Sequence, residues 1–424
     1  MAYDAVIIGA GPAGSTTARL LAENGATVLL LDRHSFPRDK PCGGGVTLRA
    51  AAVAGIDLSP VIEHTIYGMR FSLRLGESFD RRFPQPLTYM TQRSHLDALL
   101  AQRAAEAGAA FHDDEAVRSV DLPSGQAESL TPGGVGQRRC QAESLTRGGV
   151  VVRTDKASYT APILIGADGA NGLVARATGL RPQFEEAVAL EGNLAFSHGI
   201  PDDWKEYVGL DLGGLAGGYG WAFPKNEHLN LGVGAWKYAG FTLRPKLAQL
   251  SRRYGFDPDA LTNLRGHHLP VRTSGTPIAR GPVALVGDAA GLVDPFSGEG
   301  IHMAFASGRL AAESALAYLA GETASMASYQ HAVDAQLQPE LNAARKLQEL
   351  FNFAPPPYLA VMRRSEKFWL FFCHLVRGER TYLDFLNAIG PLRRAVDIFA
   401  SIAERRRLSR VGAGERLMAT ARNL

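Results

Sequence analysis

The sequence predicts an α/β fold that combines a parallel sheet, an inserted antiparallel sheet and a helical C-terminal region. Short apolar runs break into glycine-rich turns near residues 9, 166 and 287, a pattern typical of parallel strands followed by helices. Alternating, glycine-interrupted patterns over residues 183–270 indicate antiparallel strands. Helical periodicity dominates beyond residue 330. The 424 residues, 46% of them hydrophobic, suffice for two or three domains.

The N-terminal segment predicts a strand, a turn, a helix and a second strand. A short apolar run leads into Gly9, Gly11 and Gly14, and a second apolar run ends at Asp32. Gly9 makes the tight turn, Gly11 lets the backbone approach a pyrophosphate, and Gly14 lets the helix pack on the strand. We therefore predict a Rossmann-like dinucleotide site in which Asp32 binds ribose hydroxyls. Arg33 is only weak evidence for a 2′-phosphate on that ribose. The alternative is a glycine-rich turn in an ordinary parallel sheet.

Composition excludes several classes of protein. The 45 Lys and Arg residues nearly balance the 42 Asp and Glu residues, so the charge pattern does not indicate nucleic-acid binding. The cysteines Cys42, Cys140 and Cys373 are too few and too scattered for a disulfide framework or a metal pair. The N-terminus lacks the basic region of a signal peptide, and the longest apolar run, 368–376, is too short to cross a bilayer. We expect a cytoplasmic protein without a metal.

Loops, short strands and one helix are predicted next. Cys42 is followed by three glycines in a loop whose backbone can approach a flat ligand; a surface loop with an incidental cysteine is the alternative. Short antiparallel strands are expected from Gly68 to Tyr89. A helix is predicted over residues 91–109, and Arg93 lies near its start. Arg93 could reach a bound dinucleotide; the alternative is that it is a charged residue on a solvated face of the helix.

A tandem duplication lies between residues 121 and 149. The sequence QAESLTPGGV at 126–135 recurs as QAESLTRGGV at 141–150. Because such expansions survive at the surface, we predict a hairpin-like excursion without a catalytic role. Cys140 falls inside it and is interpreted as incidental.

Two later segments repeat the strand-to-turn design. One apolar strand runs into Asp168 and Gly169, and another runs into Gly287 and Asp288 before a helix that starts near Glu299. An acidic residue at the carboxyl end of a parallel strand can bind ribose or ribityl hydroxyls. The positive end of the following helix would face an anion.

The C-terminal region is predicted to be helical, with breaks at prolines 355–357. Its last segment combines apolar residues with arginines, namely Leu392, Val396, Phe399 and Ile402 with Arg393, Arg394, Arg405, Arg406 and Arg407. A basic amphipathic helix can lie on an anionic membrane, so peripheral membrane association is one interpretation. Ordinary core packing is the other.

Together, the three glycine and aspartate motifs resemble the flavin fingerprints of the p-hydroxybenzoate hydroxylase-like superfamily. Two further motifs are similar to those of the geranylgeranyl reductase family. They are KPCGGG at 40–45, and Y-x-W-x-F-P with a later G-x-G, formed by Tyr219, Trp221, Phe223, Pro224, Gly232 and Gly234. The sequence GERTYLDF at 378–385 also resembles the helical tail of that family.

The resemblance implies an FAD enzyme that reduces carbon–carbon double bonds of a geranylgeranyl or polyprenyl chain by hydride transfer from reduced flavin. NAD(P)H or ferredoxin is the implied external electron donor. The implied fold is an FAD-binding domain of the GR2/PHBH type, discontinuous over 1–65, 90–180 and 268–330. A substrate-binding domain would occupy 66–89 and 181–267, and a helical region 331–424.

The resemblance also implies the site residues. The cofactor-binding residues are Gly9, Gly11, Pro12, Ala13, Gly14, Asp32, Arg33, Cys42, Gly43, Arg93, Asp168, Gly169, Gly287, Asp288, Pro295, Gly298, Gly300 and Ile301. The substrate channel would be formed by Tyr219, Trp221, Phe223, Pro224, Gly232 and Gly234, unless these aromatic residues only form the core of a strand. Cys42, Glu299 and His302 are the candidate catalytic residues, and spacing alone does not assign the proton source.

Two rival functions stay open at this point. A flavin monooxygenase or halogenase on the same fold would activate oxygen instead of donating hydride. Halogenases of the superfamily carry W-x-W-x-I-P, and Tyr219 and Phe223 depart from that motif in favour of the reductase. The second rival is a non-catalytic flavin-binding or membrane-binding protein.

Overall fold

The computed structural model describes residues 1–123, 149–196 and 199–422, and it describes side chains up to residue 411 except at 392 and 410. Most of the predicted excursion, residues 124–148 with Cys140, lies outside the described part of the chain. The remaining predictions of strands and helices can be compared with the elements given below.

The strands of the described chain form four sheets. In chain order they are β1 Ala5–Ile8, β2 Val28–Leu31, β3 Gly45–Thr47, β4 His64–Ile66, β5 Gly68–Leu73, β6 Ser78–Arg82, β7 Thr88–Met90, β8 Ala110–His112, β9 Val117–Asp121, β10 Val150–Thr154, β11 Ser158–Ala161, β12 Ile163–Gly166, β13 Phe184–Ala195, β14 Tyr207–Leu215, β15 Gly218–Pro224, β16 His228–Trp236, β17 Thr262–Arg272, β18 Ala279–Arg280 and β19 Val283–Leu285.

The helices lie around these sheets and dominate the C-terminal region. They are α1 Pro12–Glu23, α2 Leu48–Ala54, α3 Arg93–Glu106, α4 Val174–Ala177, α5 Asp202–Lys205, α6 Leu243–Arg253, α7 Ile301–Leu319, α8 Ala327–Gln336, α9 Gln338–Phe353, α10 Pro355–Arg364, α11 Glu366–Arg377, α12 Tyr382–Ala388 and α13 Arg393–Arg422. Short 3₁₀ turns occur at Ser59–Val61, Lys237–Thr242, Pro258–Ala260, Gly287–Ala290 and Gly390–Leu392.

The first sheet has the strand order β18-β19-β12-β1-β2-β8, with β18 the antiparallel edge strand. The central strand β1 pairs in parallel with β12 and β2, and all four of its residues are buried because α1 and β11 pack against it. The predicted strand, turn, helix and strand at the N-terminus are confirmed. After β12 and the turn at Asp168 and Gly169, the chain continues into the short helix α4, Val174–Ala177.

The second large sheet has the order β17-β13-β16-β15-β14-β5-β6. Adjacent strands in this sheet run antiparallel, except that β5 and β14 pair in parallel. Two strands joined by a short hairpin could not pair in parallel, but β5 and β14 are far apart in sequence. Leu243, Leu247 and Leu250 of α6 pack on one face of this sheet. Residues of α10 and α11, such as Met362 and Trp369, pack with β5 near its other end. The α/β class, the inserted antiparallel sheet and the helical C-terminal region are therefore confirmed, whereas the exact domain boundaries stay a prediction.

Two smaller sheets complete the described chain, with the orders β3-β7-β4 and β11-β10-β9. None of the helices over the described residues combines the length and the apolar composition that crossing a membrane requires. The late helix α13 is only partly used for core packing. Arg407 is buried and pairs with Glu349 and Glu185, whereas Phe399 and Ile402 are exposed.

Candidate active site

A cavity of about 1000 Å³ connects the parallel sheet, the seven-stranded sheet and the C-terminal helices. The glycine turns after β1, β12 and β19 line one end, which we call the cofactor end. The other end, which we call the apolar arm, is lined by side chains from β14, α10 and α11, including Val208, Leu210, Leu359, Met362, Phe368 and Phe372. The fold thus joins a polar cradle to an apolar space.

The turn after β1 forms the base of the cofactor end. Gly9 has a φ of +105°, and a Cβ at this residue would clash with the carbonyl of Ala167. A Cβ at Gly14 would lie 1.9 Å from the Gly9 oxygen, so the close packing predicted for Gly14 is present. At Gly11 the nearest atom to a Cβ would be 3.7 Å away, on Arg38. Without a side chain, Gly11 therefore leaves a narrow space between the N-terminus of α1 and the guanidinium groups of Arg38 and Arg93.

Two guanidinium groups border this space. Arg93 pairs with Asp97 through two hydrogen bonds of 2.8 and 2.6 Å, and Arg38 contacts the same carboxylate at 2.9 Å. Burial disfavours the charge of Arg93, but Asp97 outweighs that effect, so the pKa of Arg93 lies above its usual value. Sequence analysis found Arg93 but missed Arg38 and Asp97. The spacing of four residues between Arg93 and Asp97 on α3 was the available signal.

Three aspartates follow the strands of the parallel sheet at the cofactor end. Asp32 accepts the backbone N–H of Ala10 at 2.9 Å. Asp168 accepts the N–H of Val174, and its other oxygen is buried without a partner in the described structure; burial raises its pKa. These carboxylates lie where the sequence predicted them.

Asp288 lies beside two basic side chains. Lys40 Nζ lies 3.0 Å from its Oδ2, and His267 Nε2 lies 3.6 Å from the same oxygen. Burial alone would raise the pKa of Asp288, but Lys40 and His267 together lower it well below its usual range. Asp288 is therefore ionised at neutral pH.

The motif around Trp221 lies between the cofactor end and the apolar arm. Trp221 donates its indole N–H to Asn230 Oδ1 at 2.8 Å, and its ring covers Gly232 on the neighbouring strand. Tyr219 donates its hydroxyl to the Ser297 carbonyl, and burial raises its pKa. The motif therefore contacts both the seven-stranded sheet and the loop before α7.

Comparison with known proteins places the chain in a family. The family described as FAD binding domain matches residues 2–208. The menaquinone reductase of Mycobacterium tuberculosis is 34% identical, with 73% of this chain and 76% of that protein covered. Digeranylgeranylglycerophospholipid reductase 1 of Methanopyrus kandleri is 30% identical, with 82% of this chain and 91% of that protein covered. The chain belongs to the geranylgeranyl reductase-like family of FAD-dependent oxidoreductases.

Solved structures agree with this assignment at the level of the fold. A geranylgeranyl bacteriochlorophyll reductase-like protein from Thermoplasma acidophilum superposes with a TM-score of 0.72 at 22% identity, covering 91% of this chain and 99% of that one. The flavin-dependent brominase Bmp2, with a TM-score of 0.66 at 18% identity, and the halogenase PltM, with a TM-score of 0.60 at 16% identity, share the fold as well. At these identities, the structural likeness establishes the fold alone.

The cofactor end of this oxidoreductase fits FAD. The space above Gly11, the free N–H groups at the start of α1 and the guanidinium groups of Arg38 and Arg93 suit a pyrophosphate. Asp32 and Asp288 would bind ribose and ribityl hydroxyls. The N-terminus of α7, which begins at Ile301, would hold the pyrimidine edge of the flavin.

The loop that contains Cys42 is held by two buried ionisable side chains in this enzyme. The Cys42 N–H donates to Glu191 Oε1 at 2.7 Å, and Lys225 Nζ donates to the Gly43 carbonyl at 2.8 Å. Burial raises the pKa of Glu191 to about 7 and lowers the pKa of Lys225 to about 8. Sequence analysis missed both residues, although Lys225 directly follows Pro224 of the Trp221 motif.

Glu299 lies in a network of charged groups at the start of α7. It accepts hydrogen bonds from Thr47 at 2.5 Å and from Arg49 at 2.6 and 3.0 Å. Arg49 also pairs with the fully buried Asp294 at 3.1 Å. Both oxygens of the Glu299 side chain are therefore engaged in hydrogen bonds. The neighbouring His302 has a pKa lowered by burial to about 4.

Most of the predicted site residues line the cavity. They are Gly9, Gly11, Pro12, Ala13, Asp32, Arg33, Cys42, Gly43, Arg93, Asp168, Gly169, Tyr219, Trp221, Phe223, Gly234, Gly287, Asp288, Pro295, Gly298, Glu299, Gly300 and Ile301. Gly14, Pro224, Gly232 and His302 lie beside the cavity but do not line it. The individual roles of all these residues stay predictions.

Proposed function

We propose that this enzyme reduces carbon–carbon double bonds of a polyprenyl chain. The proposal rests on the continuity of the cavity, which leads from the cofactor end into the apolar arm. In the described structure, the cavity-lining side chains from β14 and from helices α9 to α12 are uncharged. A long hydrocarbon gains from burial in such a space, whereas a charged head group would lose its hydration there.

The relatives support the same chemistry. Their names include menaquinone reductase and digeranylgeranylglycerophospholipid reductase, and the second name contains the geranylgeranyl group, an isoprenoid chain. The FAD cradle and the aromatic motif occur together in this chain, as the resemblance to geranylgeranyl reductases implies. We infer that the head group stays near the cavity mouth while the chain enters the apolar arm.

Reduced FAD supplies the hydride for this reaction when it is bound. The protein has the task of holding the alkene in the apolar arm, excluding water and providing a proton to the second carbon. An isolated alkene has no carbonyl oxygen, so an oxyanion hole would not help. We propose that Trp221 and Phe223 orient the chain at the entrance to the arm. The external donor, NAD(P)H or ferredoxin, stays a prediction.

An anaerobic half-reaction tests this function without the external donor. Dithionite reduces the FAD-loaded protein, and geranylgeranyl diphosphate or a geranylgeranyl glycerol lipid, neither of which has another reducible group, is then added. We expect the flavin absorbance to return and the product to gain pairs of hydrogen atoms without oxygen. Trp221→Ala should slow this step while leaving the FAD content near the wild-type value.

The same experiment separates the rival function. A monooxygenase or halogenase would leave the flavin reduced until air is admitted, because it needs dioxygen. If every polyprenyl probe leaves the flavin reduced without air and oxygenated product forms with air, the reductase proposal is wrong. If no product forms with or without air, the result favours a flavin-binding protein that does not act on these substrates.

We also propose that the enzyme works at the surface of an anionic membrane. Helix α13 exposes Ile398, Phe399 and Ile402, which are 60%, 53% and 37% exposed. Arg394 and Arg405 are exposed on the same helix. Apolar side chains beside arginines suit the interface of an anionic bilayer. The water-insoluble substrate gives the enzyme a reason to approach a membrane.

Sedimentation with vesicles tests this placement. Vesicles of phosphatidylserine and phosphatidylcholine should bind the protein, whereas phosphatidylcholine alone should bind it weakly. Phe399→Ser combined with Ile402→Ser should reduce binding to the anionic vesicles. Phe241→Ser removes an aromatic side chain that is 77% exposed outside α13 and provides the matched control. Equal binding by both variants would contradict the assignment to α13.

A further inference from the structure

Glu191 is a buried carboxyl group beside the proposed reaction site. It lies on β13, where it lines the cavity together with Ala187 and Ala189 on the same face of the strand. Its side chain is only 8% exposed. Oε1 accepts the Cys42 N–H at 2.7 Å, and within the described residues Oε2 has no hydrogen-bond partner. One oxygen is therefore fixed while the other is free to carry a proton.

This carboxyl group lies at the junction between the cofactor end and the apolar arm. The loop that it holds continues into Gly43, where a Cβ would lie 2.8 Å from Phe223 and 3.1 Å from the indole nitrogen of Trp221. The Cys42 loop, the aromatic motif and Glu191 therefore surround the same part of the cavity. A double bond held between the flavin and the aromatic motif would lie beside this group.

The other acidic groups near this junction are less suitable as proton donors. Glu299 accepts two hydrogen bonds from Arg49 on one oxygen and one from Thr47 on the other, so neither oxygen is free. Tyr219 already donates its proton to a carbonyl, and its pKa is raised by burial. His302 does not line the cavity.

We propose that Glu191 donates the proton that completes the reduction of the double bond. This inference rests on the proposed function. One alkene carbon accepts a hydride, with its two electrons, from reduced FAD, and the other carbon accepts the proton of Glu191. The carbon–carbon double bond becomes a single bond, FAD becomes oxidised, and Glu191 becomes a carboxylate. Water then returns a proton to Glu191, while the external donor reduces the flavin again.

The surroundings of Glu191 suit this role. Burial raises its pKa to about 7, although the Cys42 N–H and the charge of Lys225 act in the opposite direction. Asp39 raises this pKa further and Arg265 lowers it, and these two residues form an ion pair of 2.9 Å. General acids work best when their pKa is near the working pH. Arg265 and Asp39 are exposed, so solvent lies near enough to restore the proton.

The substitution Glu191→Gln tests the proposal, because glutamine keeps the size of the side chain and an oxygen for the Cys42 N–H. Single-turnover flavin oxidation by geranylgeranyl diphosphate should slow by about 100-fold or more, as expected for loss of a general acid. The wild-type rate should fall as the pH rises above about 7, and the rate of Glu191→Gln should lose this dependence. FAD content and melting temperature should change little.

A second measurement does not depend on turnover. Infrared difference spectra of the FAD-loaded protein should contain a carboxylic acid band that titrates near pH 7 and is missing in Glu191→Gln. Glu191→Asp keeps an acid and should retain part of the rate together with the pH dependence. Glu186→Gln, an exposed position on the same strand, should match the wild type.

The outcomes distinguish this inference from the function on which it rests. Normal turnover by the wild type, with the same rate and pH profile in Glu191→Gln, would refute the role of Glu191 and leave the reduction standing. A wild-type carboxyl band that titrates at the ordinary value of glutamate, about 4.3, would also refute it. Failure of the wild type to oxidise its flavin with any polyprenyl probe would refute the proposed reduction, and the proton-donor role with it.

Discussion

Two glycines on β16 provide a sharp test of how the Trp221 motif is built. Gly232 lies opposite Trp221 in the sheet, and a Cβ at Gly232 would lie 1.9 Å from Cζ2 of the ring. At Gly234, two residues along the strand, the nearest ring atom to a Cβ would be 3.8 Å away. Neither residue has a positive φ, so the backbone tolerates alanine at both positions. Only Gly232→Ala therefore forces the indole to move.

The expected effect follows from two contributions. Overpacking costs about 1–3 kcal/mol, and loss of the hydrogen bond from Trp221 to Asn230 adds about 0.5–1.5 kcal/mol. We expect Gly232→Ala to lower the free energy of unfolding by about 2–4 kcal/mol and Gly234→Ala by less than about 1 kcal/mol.

Urea unfolding at equal FAD saturation measures both changes. Product analysis should also reveal an altered pattern of reduced double bonds in Gly234→Ala, because the added methyl group enters the cavity. Equal stability of the two variants would refute the assignment of Gly232 to the packing of Trp221.

Three further predictions concern the cofactor end and the buried charges. Gly11→Ala should fold normally but lose FAD, because its methyl group fits beside Arg38 and Arg93 without a clash but fills space that a pyrophosphate would need, whereas Gly14→Ala should lose stability; flavin absorbance and thermal melting measure the two effects. Arg49→Met should cost about 3–5 kcal/mol in urea unfolding, because it leaves the carboxylates of Asp294 and Glu299 buried without their partner. Lys225 has a folded-state pKa of about 8, lower than in the unfolded chain, so the unfolded state binds more protons between about pH 8 and pH 10. Wild-type stability should gain up to about 3 kcal/mol from this group as the pH rises through that range, and Lys225→Met should lack this gain.

The part of the site that could be predicted from sequence is the part made by local backbone geometry. The turn at Gly9 and Gly11 needs residues within one strand–helix unit, and Asp288 follows its own strand directly, so short-range pattern is enough. Glu191 and Lys225 instead reach the Cys42 loop across 149 and 182 residues. Their burial and shifted pKa values arise only when the seven-stranded sheet is placed against the loop.

The C-terminal sequence GERTYLDF, which resembles the tail of the reductase family, also takes its role from long-range packing. Gly378 ends α11 with a φ of +79°, and a Cβ there would meet the side chain of Arg49. Tyr382 places its ring 5.8 Å below the Arg49 guanidinium, which in turn holds Glu299 and Asp294 before α7. The motif therefore supports the loop before α7 through packing and charge. Because α11 and α12 also line the apolar arm, these contacts fix the walls of the arm to the loop beside the flavin.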